Sequence, residues 1–218
     1  MSSSRSRRRR PRKKKSNTKK ILLLVALLAV VVTIIVGYNM FGNDDPNDEV
    51  PNDNNTSNQM KVLFETSLGN ITIQLRDDMP ITTENFKNLT KNGVYDNTIF
   101  HRVISGFMIQ GGDPTGTGYG DPSIAAIYDE FSDNPENNKN ERGTIAMANQ
   151  GADRPNTGSS QFFINLVANN DLDNLHPVFG EVIDGMNVID DIANVATDGS
   201  PTDRPLEEVT INKAMLID

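Results

Sequence analysis

The 218-residue chain has no cysteine, no tryptophan and only two histidines, and just one long run of it is both uncharged and strongly apolar. Without cysteine there can be no disulfide, zinc–thiolate site, thiol nucleophile or lipidated N-terminal cysteine, while the redox compartment stays open. His101 and His176 sit in no H-E-x-x-H or similar spacing, so no metal centre is implied. No G-x-S-x-G elbow is present, and TGSSQFF does not substitute for one. The glycine-rich GTGYG at Gly116–Gly120 lacks the Lys-Ser/Thr of a phosphate-binding loop and reads as a flexible turn.

What is there is unevenly distributed. Residues 1–20 carry 11 of the 21 Lys and Arg and no acid, whereas residues from 43 onward carry 10 basic and 29 acidic residues, a formal charge of −19. An acidic globular part disfavours nucleic acid, whose binding rests on neutralising phosphates. Mutual repulsion of its surfaces favours a monomer.

Ile21–Val36 is uncharged, and Gly37 and Tyr38 extend it to residue 38. A membrane span needs about 20 residues, with a lower range near 17. The sequence therefore predicts a basic tail over 1–20, one transmembrane signal-anchor helix over 21–38, and an acidic, Asn/Pro-rich linker over 39–59. The competing reading is a cleaved signal peptide, but no A-x-A-like site follows the run. Basic residues stay on the cytoplasmic side, so residues 60–218 are expected outside the cytoplasm, tethered to the cell membrane.

From Met60 the pattern changes to short β-rich runs. KVLFET and NITIQL read as a hairpin, and TIFHRVI, FMIQGG, TIAMAN, QFFINLV, PVFGEVI and VTINKAMLI as further strands. Pro80–Asn92 reads as a helix capped by Thr82, with Phe86 and Leu89 on one face and Gly93 as its stop. Asp184–Ala196 reads as a second helix, apolar at Met186, Ile189, Ile192 and Ala196. Many short strands with two helices predict a mainly β, closed antiparallel barrel.

The stretch FHRVISGFMIQGGD (Phe100–Asp113) mixes Arg102 and Gln110 with Phe107, Met108 and Ile109. A core strand disfavours the first pair and a solvated strand the rest, whereas a binding groove accommodates all of them. Met108 and Gln110 share one face of a strand. A guanidinium beside an apolar pocket can hydrogen-bond an amide and alter its resonance, with no nucleophile, metal or cofactor.

FHRVISGFMIQGGD, followed by MAN (Met147–Asn149), SQFFI (Ser160–Ile164) and LDNLHPVFGEV (Leu172–Val182), resembles the cyclophilin family of peptidyl-prolyl cis–trans isomerases over roughly residues 60–218. The resemblance implies an eight-stranded antiparallel barrel closed by two α-helices, with the groove on its outer face. It implies that proline-containing polypeptides are the substrates and that no cofactor is used. Carried onto this chain, Arg102 resembles the catalytic arginine, and Phe107, Met108, Phe163 and Leu172 wall the proline pocket. Gln110 bonds substrate backbone and holds Arg102, Ala148 and Asn149 pair with the residue before proline, Gln161 lies on the groove side, and His176 is a wall at the pocket edge. His101, Met147 and Phe162 read as structural, with His101 satisfied by hydrogen bonds. A binder using the same groove without turnover is the alternative.

Two departures stand out. Asp171 occupies the place where many members carry tryptophan, which bears on cyclosporin binding, and the run QGADRPNTGSS between Asn149 and Gln161 is longer than the common form, with Asp153 and Arg154 placed to reshape the groove rim. The single anchor and short basic tail suit a bacterial-type cell envelope and a role in folding exported proteins.

Overall fold

The computed structural model describes residues 60–218; the expected tail, membrane helix and linker lie outside the described residues. Among the described residues no helix is long and apolar enough to cross a membrane.

The hairpin forms as the alternation predicts. β1 (Lys61–Thr66) pairs antiparallel with β2 (Gly69–Leu75), and Val62, Phe64, Ile71, Ile73 and Leu75 all point into the core. The chain continues through α1 (Pro80–Lys91), β3 (Thr98–Ile99), β4 (Arg102–Ile104), β5 (Met108–Gly111), β6 (Thr144–Met147), β7 (Phe162–Asn165), β8 (Val178–Asp184), α2 (Met186–Ala193) and β9 (Thr210–Ile217). All strands of the described residues join one antiparallel sheet, ordered β3-β9-β1-β2-β8-β6-β7-β5-β4.

The sheet has nine hydrogen-bonded strands where eight were expected, and the order explains the difference. Its two end members, β3 and β4, are consecutive in the chain and separated only by Phe100 and His101. They are halves of one broken strand, one paired with β9 and the other with β5, so the sheet curls round and meets itself there. Counted as one, they restore eight.

Both helices lend a face to the same core. Phe86 of α1 packs against Phe64, Phe162 and Phe179 from three different strands, with ring centroids 4.9–6.2 Å apart. Val188, Ile189 and Ile192 of α2 are buried in the same cluster. Each such side chain removed from water contributes roughly 1.5–3 kcal/mol.

Both helices differ in detail from expectation. Thr82 does not cap α1: Pro80 stands in the first turn, where its missing N–H costs nothing, so the helix has already begun. The Thr82 hydroxyl is instead buried without a hydrogen-bond partner among the described residues. α2 begins at Met186 because Asp184 still belongs to β8 and Gly185 turns the chain at φ 89°. It ends at Ala193, before Ala196.

Candidate functional site

Alternation along five neighbouring strands divides the apolar residues into two sets. Val103, Ile109, Ile145, Phe162, Ile164 and Phe179 point inward to the main core. Their sequence neighbours Met108, Ala146, Phe163 and Val178 point outward and form a second, smaller cluster with Ile104, Phe107, Ala148 and Leu172 packed against it. The outer face of the barrel thus carries its own apolar cluster, buried under those four side chains.

The strand register draws this face into one row. Arg102 lies opposite Gln110, Gln110 opposite Phe163, and Phe163 opposite Ala146. Directly opposed residues stand about 5 Å apart, so a cation, an amide and an aromatic ring follow one another across the sheet. Arg102, Phe107, Met108, Gln110, Ala148, Asn149, Phe163, Leu172 and His176 together line a pocket of about 130 Å³. Nine of the ten site residues expected from the sequence thus meet in one place, and the tenth, Gln161, lies next door.

The pocket walls are fixed from behind. The carbonyl of Phe107 accepts hydrogen bonds from the Leu166 N–H and the Asn169 side chain, both 3.0 Å long. Asn169 in turn donates to the fully buried Asn165, which donates to Asn140 and Thr144. This satisfied polar network holds the loop that carries Leu172. His176 meets the edge of Phe163 at 5.4 Å between ring centroids. Its Nδ1 lies 3.2 Å from the Met147 carbonyl; a carbonyl only accepts, so the proton sits on Nδ1. Burial lowers the pKa of His176, with that hydrogen bond and Asp129 acting against the shift. The ring is a neutral wall.

Two polar expectations, for Gln110 and His101, are revised, and that for Asn149 is narrowed to its main chain. Gln110 does not hold Arg102: its amide donates to Gln161 Oε1 at 2.9 Å, and Gln161 donates to the Gly118 carbonyl at 3.1 Å. Arg102 has its ion-pair contact with Asp203 instead, Nε to Oδ2 at 3.8 Å. The Asn149 side chain is spent internally, donating to Asp129 and Leu175 and accepting from Gly151, so only its main chain is left for a bound peptide. His101 is buried as expected, but among the described residues neither ring nitrogen makes a hydrogen bond of ordinary geometry, with Gln161 giving only a weak contact.

A second pocket of about 170 Å³ adjoins the first and shares Gln110, Ala148 and Asn149 with it. One wall is Gly118–Gly120, and this loop is more ordered than its glycines suggest. The buried carboxylate of Asp113 accepts from the backbone of Thr115, Gly118 and Gly120 and from the Thr115 hydroxyl. Burial disfavours the charge, but these hydrogen bonds outweigh it and hold the Asp113 pKa below its ordinary value. The opposite wall includes Gln150 and Thr157 from the long loop, which closes on itself through Gln150 N–H to Thr157 and Arg154 to Gln150. Arg154 braces that loop, and neither it nor Asp153 lines either pocket. Asp171 is exposed in the short turn before Leu172.

The sequence model of the family described as cyclophilin type peptidyl-prolyl cis-trans isomerase/CLD matches residues 61–216. This chain is a cyclophilin-type peptidyl-prolyl cis–trans isomerase. Peptidyl-prolyl cis-trans isomerase CYP18-2 of Arabidopsis thaliana is 44% identical over 159 residues, which span 72% of this chain and 94% of that protein. Peptidyl-prolyl cis-trans isomerase ppi1 of Schizosaccharomyces pombe is 46% identical over 159 residues, 72% of this chain and 98% of that one. Among solved structures, a Cryptosporidium parvum cyclophilin type isomerase superposes with a TM-score of 0.67 at 36% identity, covering 73% of this chain and 98% of that one.

Cyclophilins act on proline-containing polypeptides, and the family match leaves residues 1–60 outside it. Two groups at this cyclophilin's groove escaped sequence reading. Asp129 serves Asn149 and Asn156 from a stretch with no regular secondary structure. Asp203 lies in DGSPTDRP, where nothing but turn-forming residues is visible. Neither has a signal in composition or period, because each reaches the groove only through the tertiary fold.

Proposed function

We propose that Arg102 is the catalytic residue of this isomerase and works by hydrogen-bonding the prolyl nitrogen. The peptide C–N barrier of about 18–20 kcal/mol comes from the nitrogen lone pair delocalising into the carbonyl. A donor aimed at that nitrogen favours the twisted, pyramidal state over the planar one, so it stabilises the transition state with no covalent step. Uncatalysed exchange takes roughly 10–100 s, and lowering the barrier by ~5–7 kcal/mol accelerates it about 10⁴- to 10⁵-fold.

The observation that carries this reading is a partly exposed guanidinium on the rim of a 130 Å³ apolar pocket. Phe107, Met108, Phe163 and Leu172 receive the pyrrolidine ring, and His176 closes its edge. Gln110 and the main chain of Ala148 and Asn149 align the peptide, with Gln161 beside them. A solved structure of the Cryptosporidium relative in the presence of the dipeptide Ala-Pro fits such a substrate.

The setting belongs to the same proposal. Residues 21–38 anchor the chain as a single span, the basic residues 1–20 stay cytoplasmic, and the linker 39–59 holds the isomerase domain 60–218 outside as a monomer. There it speeds X–Pro isomerisation in exported proteins, where this bond is slow. The support for a bacterial-type envelope is the N-terminal layout of basic tail, apolar run and acidic linker.

The test is cis–trans exchange of an Ala-Pro peptide, followed by NMR with the full chain in micelles. Arg102→Ala should lower the catalysed rate by about 10²-fold or more while retaining peptide affinity. Unchanged turnover would remove Arg102 from the mechanism. Protease added outside intact cells should digest the domain, and full protection would overturn the topology.

A further inference from the structure

We infer that Asp203 is a positioning residue that fixes the guanidinium of Arg102 from the side facing away from the substrate. The inference rests on the reading of Arg102 as the catalytic cation.

Asp203 meets β4 in two ways. Its carbonyl accepts the N–H of Val103 at 2.8 Å, directly beside Arg102, and its carboxylate lies 3.8 Å from Arg102 Nε. The backbone contact matters because β4 has β5 on only one side; the loop ending in Asp203 covers part of its other edge. One residue therefore hydrogen-bonds the strand that carries the cation and sets a carboxylate beside the cation itself.

The loop behind Asp203 is held at several points. Asp203 N–H donates to the Gly199 carbonyl at 2.9 Å. Asp198 Oδ1 accepts the N–H of Arg204, its Oδ2 accepts the Thr202 hydroxyl, and its own N–H donates to the Arg204 carbonyl. Thr197 and Pro205 form a β-bridge across the base. Arg204 reaches to the Gly116 carbonyl at 2.9 Å, tying the loop to the glycine-rich turn just before Gly118–Gly120. Asp203 itself adopts φ 50°, the left-handed conformation that Asp tolerates better than most residues. A carboxylate so mounted, with its side chain 18% exposed, differs from a surface ion pair between two free side chains.

The contact uses Nε, which leaves both terminal nitrogens for the pocket. A carboxylate that draws the Nε edge of a planar guanidinium biases its other donors the opposite way, and the gain from a positioned donor depends on that direction. Gln110 was the expected partner for this task, but its amide is directed at Gln161. Asp203 takes its place.

Asp203→Asn keeps the shape and the backbone contact and removes the charge. On the full chain, kcat for an Ala-Pro peptide should fall about three- to tenfold, with peptide affinity unchanged within twofold and Asp203→Glu recovering part of the loss. In an Arg102→Lys background, which lacks Nε, Asp203→Asn should have no further effect on kcat. The Nε–H resonance of Arg102 should move in Asp203→Asn. A kcat unchanged in Asp203→Asn, or a loss of the same size in the Arg102→Lys background, would overturn the inference. If Arg102→Ala itself leaves turnover intact, the reading of Arg102 fails instead, and the two failures are distinct.

Discussion

Glu130 caps a helix that begins some fifty residues before it: its carboxylate accepts the N–H of Ile81 at 3.2 Å and of Thr82 at 2.9 Å. These are two of the donors that the first turn of α1 leaves unpaired, and the negative charge also complements the helix dipole. Glu130→Ala should destabilise the domain by about 1 kcal/mol, read as a lower urea midpoint with an unchanged slope. An unshifted midpoint would show the cap to be idle.

Thr82, which the sequence nominates for that task, should prove dispensable. Its hydroxyl is buried and unpartnered, and such a group costs about 1–3 kcal/mol of desolvation. Thr82→Val keeps the shape and removes the hydroxyl, so thermal unfolding should occur at the same or a higher temperature. A drop in melting temperature would reveal a hydrogen bond formed in solution.

The contrast between Glu130 and Thr82 shows which parts of this fold are legible in sequence. Alternation placed Met108 and Gln110 on one face and Ile109 on the other, because period two is local and strands obey it. The groove residues from Arg102 to Phe163 were legible through the motifs that resemble the cyclophilin family, because no local period says which strands lie side by side. Caps and braces were not. Glu130, Asp129 and Asp203 act across the fold, and a carboxylate in a loop looks the same whether or not a distant backbone needs it. The broken strand was also hidden, since TIFHRVI reads as one continuous run.

Gly112 sits at φ +80°, and a Cβ there would lie 2.6 Å from the Ser160 carbonyl oxygen and 2.7 Å from Phe162. Gly112→Ala therefore combines a strained backbone conformation with an impossible contact between β5 and the entry to β7. A loss of at least ~1–3 kcal/mol is expected, with peptide affinity falling as Gln110 and Phe163 separate. Calorimetry and peptide titration would check both, and a wild-type melting temperature would contradict the packing described above.

Acid should weaken the fold well before the carboxylates titrate. Burial lowers the pKa of His176 and also that of His101, where Arg204 and Arg102 add to the effect and Asp113 opposes it. In the unfolded chain both rings protonate near pH 6.5. Their contribution to stability is thus full above about pH 6.5 and declines as the pH falls from there through the folded-state values. Unfolding free energy measured by denaturant at pH 7.5 and 5.5 should be lower at 5.5. His176→Asn should reduce that difference, and equal values at the two pH settings would exclude the effect.

The closure of the barrel between β3 and β4 has an engineering consequence. Arg102 is the first residue after the seam, and Phe100 beside it donates its N–H to Val209 on the far side. A circular permutant with new ends in the 150–157 loop would leave the seam sewn and should still turn over substrate. New ends between Ile99 and Arg102 would cut the thread that joins both margins of the sheet, leaving Arg102 at a chain end held only by β5 and the Asp203 loop.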